Sequence, residues 1–166
     1  MPLSITGTAR RFGDDINTDY IISSRRKRES LDPAVLKNYL FETIAPEFAG
    51  SVLAGDILVA GKNFGCGSAM EVAVTAVVGA GIKVVLAQSF ARTYFRNAVN
   101  NGLYPIECDT SQIMEGDALQ IDTEPRMRIH CARNGLDIEA ASIPPELLKL
   151  LDAGGLVPYL RKHSTL

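Results

Sequence analysis

The sequence has no tryptophan, two histidines and three cysteines in 166 residues. Cys66, Cys108 and Cys131 are far apart, and none belongs to a CxxC pair. With only His130 and His163 beside them, the chain is short of ligands for a zinc or iron–sulfur centre of its own. If a metal takes part in its chemistry, another chain is expected to supply it. The odd cysteine count argues against a disulfide framework. Charge of one sign is lacking too: 17 Lys and Arg against 19 Asp and Glu leave a net −2. That balance argues against general nucleic-acid binding, which needs a basic surplus to neutralise phosphates. No apolar run approaches the roughly 20 residues that span a bilayer. The opening MPLSITGTARRFGDD holds no apolar segment with a cleavage site, so no signal peptide and a cytoplasmic location are expected. There is no internal repeat and no low-complexity linker.

What is present is ordinary for a soluble globular protein, with 46% hydrophobic and 22% charged residues. The length suits one compact domain, residues 1–166. ITGTARRF reads as a short strand, and GDDINTDYIISS as a polar turn running into Ile21 and Ile22. RRKRES is a basic, loop-like run. DPAVLKNYLFETI reads as a helix capped by Asp32 with Pro33 in its first position, and Leu36, Tyr39 and Leu40 on one face. GDILVAG is a strand between turns, AMEVAVTAVVGAG a helix closed by glycine, and IKVVLAQS a buried strand. ARTYFRNAVNNG is a second glycine-closed helix, and YPIEC another strand. GDALQIDTEPRMRIHCARNGLDIEA then reads as antiparallel strands turning at Glu124-Pro125 and Asn134-Gly135. PPELLKLLDAGGLVPYLRKH closes the chain as one or two short helices. A βαβα-like middle with strand-rich flanks predicts an α/β domain of mixed sheet topology.

The stretch GKNFGCGSAMEVAVTA, Gly61 to Ala76, is a strand–glycine turn–helix. Such turns grip anions, because the amides at a helix start are unpaired and the helix dipole is positive there. Gly65 and Gly67 allow a sharp turn and a close ligand approach. Ser68 has two open readings: a helix cap, or an acid or base acting on substrate. Nucleotide readings fail. Met70 stands where a dinucleotide fingerprint needs glycine or alanine, no Lys follows the last glycine as in a phosphate loop, and no Gly-x-Ser-x-Gly surrounds Ser68.

INTDYI, PEFAGSVLAGDILVAGKNFGCGS and SFARTYFRNAVNNGLYPI occur in this order. Together they resemble the small subunit of 3-isopropylmalate dehydratase (isopropylmalate isomerase), a family related to the homoaconitase small subunit and to the last domain of aconitase. The resemblance covers Gly7 to Glu107 closely and the rest loosely. It implies the swivelling β/β/α domain of the aconitase C-terminal type, a mixed sheet with flanking helices. It implies a large-subunit partner holding a [4Fe-4S] cluster. It also implies a hydro-lyase that isomerises 2-isopropylmalate to 3-isopropylmalate, in leucine biosynthesis. The substrate would be a small dicarboxylic or tricarboxylic acid, with no nucleic acid or membrane involved, and self-association of the isolated chain stays open.

By the same resemblance Ser68 matches the family's serine base, flanked by Gly67 and Ala69 in substrate contact. Asp19 matches an aspartate near the site, its other reading being a turn cap. Arg92 and Asn97 match recurrent positions read as structural. The family pattern Gly-x-Gly-Ser-Ser-Arg-Glu is broken here, because Ala69 replaces the second serine and Met70 the arginine. A thioether cannot make the arginine's bidentate hydrogen bonds to a substrate carboxylate. In the family, the loop after the Thr-Asp motif sets specificity, and here it reads Arg25-Arg26-Lys27-Arg28-Glu29. Arg28 or Lys27 falls where homoaconitate versions carry an arginine. Its other reading is a solvated charge run. Cys66 is read as a small buried residue or as a cluster contact, and His130 as structural. Two classes remain: an enzyme subunit acting on isopropylmalate, homoaconitate, dimethylmalate or methylmalate, and a binding domain that kept the fold and lost the chemistry.

Overall fold

The structure, a computed structural model, describes residues 4–163. One sheet of seven strands runs through it in the order β4-β3-β2-β1-β5-β6-β7. β1 (Ser4–Arg11), β2 (Ile57–Val59), β3 (Val84–Ala87) and β4 (Tyr104–Glu107) are mutually parallel. β5 (Ala118–Asp122), β6 (Arg128–Cys131) and β7 (Asp137–Glu139) continue it antiparallel. β1 serves both halves. Its residues from Ser4 to Thr8 pair with β5, and those from Ala9 to Arg11 with β2.

The burial of each strand follows from its place. β2 and β3 are buried at every position, as parallel strands covered on both faces must be. β5 and β6 alternate exposed and buried residues, with one face in water. Helix α5 (Val72–Gly79) buries Val72, Ala73, Val74, Ala76 and Val77 and packs on the sheet beside Leu58 and Val85. α6 (Arg92–Asn100) links β3 to β4. Two short helices, α7 (Pro145–Asp152) and α8 (Leu156–Lys162), end the described chain.

The crossover from β1 to β2 departs most from the sequence reading. The GDDINTDYIISS turn contains a helix, α1 (Thr18–Ile21), capped by Asn17. RRKRES is not a loop but part of helix α2 (Ser24–Glu29), capped by Ser23. Arg26 is the reason: it bonds Glu42 at 3.0 Å and Glu29 at 3.1 Å and lies 3.8 Å over the Tyr39 ring. Those carboxylates push its pKa up. The single helix expected over DPAVLKNYLFETI is only α3 (Pro33–Leu36) followed by a 3₁₀ turn, Lys37–Tyr39. Phe41 ends it, at φ 56°, because its ring stacks on Phe12 at 4.1 Å and meets Phe48 edge-on at 4.9 Å. Helix α4 (Phe48–Ser51) carries that third ring.

The antiparallel half is pinned by Asp117, a buried carboxylate. It accepts hydrogen bonds from Arg133 Nε at 2.7 Å, Arg133 Nη2 at 3.2 Å and the Met114 amide at 2.8 Å. The Arg133 bonds are the main reason its pKa sits at about 2. The unfolded chain would titrate near 3.9, so this stabilisation is complete above about pH 4 and lost as pH falls through about 2. Asp117→Asn is therefore expected to flatten the loss of stability in that window. Denaturant midpoints measured from pH 5 to 2 check this, and an unchanged slope would acquit Asp117.

Candidate functional site

The carboxyl ends of the parallel strands all point to one edge of the sheet, the usual place for ligands in such sheets. The segment after β1 carries Asp19 and α2, and the one after β2 is the glycine loop. The loop is stitched to the β1 segment. Gly65 N donates to Ile16 O at 2.8 Å, and Thr18 N to Cys66 O at 2.8 Å. Thr18, itself buried, donates its hydroxyl to Ser68 O at 2.8 Å. Gly65 and Gly67 both have left-handed backbones, φ 82° and 94°. A side chain on Gly67 would meet Asn17 Oδ1 at 2.5 Å, and one on Gly65 would run into the Tyr94 ring. Tyr94 is fixed in turn by donating its buried hydroxyl to Ala73 O at 3.0 Å.

Ser68 does not cap the helix. α5 begins at Val72, with Glu71 in the cap position and no side-chain bond there. Ser68 lies further out in the loop, with Gly67 and Ala69, and all three are exposed. Its hydroxyl has no hydrogen-bond partner among the described residues, and no described group accepts from the Gly67, Ser68 or Ala69 amide. The loop presents a free hydroxyl amid free N–H donors on a backbone held from behind. Met70 turns the other way. It is 5% exposed and packs in the core with Ile16, Ile21 and Ala73.

Asp19 is exposed, and one of its oxygens accepts from the Ser24 amide at 3.3 Å. The turn-capping role is thus realised, and it tethers α2 to the loop's neighbour. Lys27 and Arg28 project from α2 into solvent with no ion-pair partner among the described residues. Nothing bonds either of them to Ser68. The sequence reading missed Asn17 and Thr18, which clamp the loop, although both stand in the INTD motif. Arg92 and Asn97 lie on α6, and Asn97 O accepts from Asn101 at 2.8 Å.

Cys66 is half-buried in the loop. Cys131 is buried in β6. Cys108 follows β4, its thiol pushed up to about 12 by burial, then by the Asp109 charge. Among the described residues, no three His, Cys, Asp or Glu side chains converge to hold a metal ion. His130 is paired with Asp137 at 2.9 Å on exposed strands away from the loop. Among the described residues, no helix is long and apolar enough to cross a membrane.

The Aconitase C-terminal domain family matches residues 50–111. The chain is 40% identical to 3-isopropylmalate dehydratase small subunit 2 of Archaeoglobus fulgidus, over 98% of both chains. It is 42% identical to the methanogen homoaconitase small subunit of Methanocaldococcus jannaschii, over 96% of this chain and 93% of that one. The crystal structure of 3-isopropylmalate dehydratase from the latter organism superimposes with a TM-score of 0.93 at 41% identity, covering 98% of this chain and 96% of that one. The fold is thus the swivelling β/β/α fold of the aconitase C-terminal type, with its mixed sheet and flanking helices.

Proposed function

The chain belongs to the aconitase-type family of dehydratase small subunits, that of 3-isopropylmalate dehydratase and homoaconitase, and from that premise we propose that it completes the active site of a hydro-lyase converting 2-isopropylmalate to 3-isopropylmalate. The observation that carries this reading is the exposed, unpartnered Ser68 hydroxyl on a loop clamped by Asn17, Thr18 and Tyr94. In this reading Ser68 Oγ, as alkoxide, takes the proton from the substrate carbon. It returns a proton after the double bond forms, when the hydroxyl adds to the neighbouring carbon. A serine is a poor base at its ordinary pKa and must be activated. The free Gly67, Ser68 and Ala69 amides are donors suited to an oxyanion or a substrate carboxylate. Lewis-acid chemistry at the departing hydroxyl comes from a [4Fe-4S] cluster, which we assign to the large subunit. The three cysteines here stand on separate elements and do not fit one.

A second reading is favoured by Met70 and α2. With Met70 buried, the grip on a distal carboxylate passes to Lys27 and Arg28, held in place through Asp19. The substrate would then be a more acidic relative, of the homoaconitate kind. Lys27→Ala or Arg28→Ala is then expected to raise KM for that acid about tenfold, the scale of one charge-assisted hydrogen bond. Equal KM values in both variants would remove α2 from substrate recognition.

The test is co-expression with the native large subunit, cluster reconstitution without oxygen, and assay of acids from isopropylmalate through dimethylmalate and methylmalate to homoaconitate. Preference for isopropylmalate supports the first reading, and preference for a tricarboxylic acid the second. No turnover by an assembled, cluster-loaded complex would make this a domain that binds without catalysing.

A further inference from the structure

The substrate reading uses the segments after β1 and β2. The same sheet edge continues past β3 and β4 into a pocket of about 380 Å³ lined by Phe90, Arg92, Phe95, Arg96 and Glu107. Arg92 and Arg96 stand one turn apart on α6. Both are exposed, and neither has a hydrogen bond or ion pair among the described residues. Arg10, Arg11, Arg26 and Arg133, by contrast, are each held by carboxylates or carbonyls. Beside the two guanidinium groups lie the half-buried Phe90 and Phe95, edge-on at 6.1 Å. Two free arginines against one carboxylate, Glu107, leave the pocket cationic over an aromatic floor. Such a pocket is complementary to a carboxylate flanked by an apolar side chain.

Its position indicates what that carboxylate belongs to. Phe90 meets Phe64 edge-on at 6.0 Å. Phe64 N donates to Ser89 O at 3.0 Å, and Ala91 N to Phe64 O at 2.9 Å. Phe64, itself fully buried, also opens the glycine loop, so the segments that carry the pocket and Ser68 follow neighbouring strands on the same carboxyl edge of the sheet. A large subunit that closes over Ser68 from this edge has the pocket beside the surface it covers. We infer that Phe90, Arg92, Phe95 and Arg96 form a docking pocket for a carboxylate-bearing, apolar-flanked segment of the large subunit. This rests on the small-subunit reading above.

The test measures the dissociation constant of the full chain for its purified large subunit at low and moderate salt. The double variant Arg92→Glu with Arg96→Glu is expected to bind about 30-fold more weakly or worse, with a flatter salt dependence. Its kcat should recover when the chain is supplied in excess. Arg126→Glu, at an exposed ion pair with Glu139 in the antiparallel half, should leave the affinity unchanged. Neither α6 arginine bonds the protein, so the unfolding midpoint should hold, and Arg96→Gln repeats the test without charge reversal. Unchanged affinity and salt dependence in the double variant overturn the inference. So does a kcat that stays low at saturation with affinity intact, since the arginines would then face substrate. Failure of the unsubstituted chain to bind a large subunit overturns the small-subunit reading and this inference with it.

Discussion

Ser68→Ala is expected to lower kcat of the reconstituted enzyme by roughly 10³-fold, within the 10²–10⁴ range for loss of a positioned base. The unfolding midpoint should not move, because the hydroxyl makes no bond within the described residues and the side chain is exposed. KM should change little, since the loop amides that would meet the substrate remain. Exchange of the substrate's carbon-bound hydrogen with heavy water gives an independent readout, because it needs proton abstraction and not the full reaction. A variant that keeps more than a tenth of wild-type turnover, or exchanges at the normal rate, would move the base elsewhere.

Gly65→Ala is expected to cost about 3 kcal/mol of stability. A left-handed backbone disfavours any side chain by roughly 1–2 kcal/mol, and overpacking adds about 1–3 kcal/mol. Both apply, since Gly65 has φ 82° and a Cβ there would run into the buried Tyr94 ring. For a chain of this size that is a fall in unfolding midpoint of about 6–12 °C. Turnover should fall with it, because Gly65 carries the amide that ties the loop to Ile16. Gly13→Ala is the matched control, with nothing within 4 Å of the added Cβ and no left-handed backbone. Equal melting of the two variants would show that Tyr94 yields, and that the loop is less rigidly seated than its contacts indicate.

The sequence announces the fold best where local and global preferences agree. VVLA is apolar throughout and opens on two β-branched residues, and it is a buried parallel strand. The alternation in ALQID and RIHC matches strands with one wet face. Both glycine-closed helices stop at their glycine or within two residues of it. The β1–β2 crossover is illegible for a physical reason. α2 has no apolar periodicity, and it is held by Ser23 at its start and by Glu42 from a distant turn. The helix expected through Leu40 is cut at Phe41 by two rings from elsewhere, Phe12 and Phe48. The same division holds at the site. The glycine spacing marks the loop, but the three-residue gap between Ser68 and α5 depends on tertiary contacts. So does the inward turn of Met70, since a methionine reads equally well as a core or a rim residue.

The double duty of β1 also has a temporal side. Of the described strands β1 leaves the ribosome before the rest, and its β2 edge finds a partner once Ile57–Val59 has emerged. Its other edge waits for Ala118–Asp122, about 60 residues later and several seconds at ordinary rates of synthesis. Contacts of such high sequence separation form slowly even in a complete chain. Through that interval β1 is an open edge, the arrangement that invites pairing with a neighbouring nascent chain. Its outward positions at that edge are Ser4, Thr6 and Thr8, so what the waiting strand offers a stranger on that face is small, polar and hydrated.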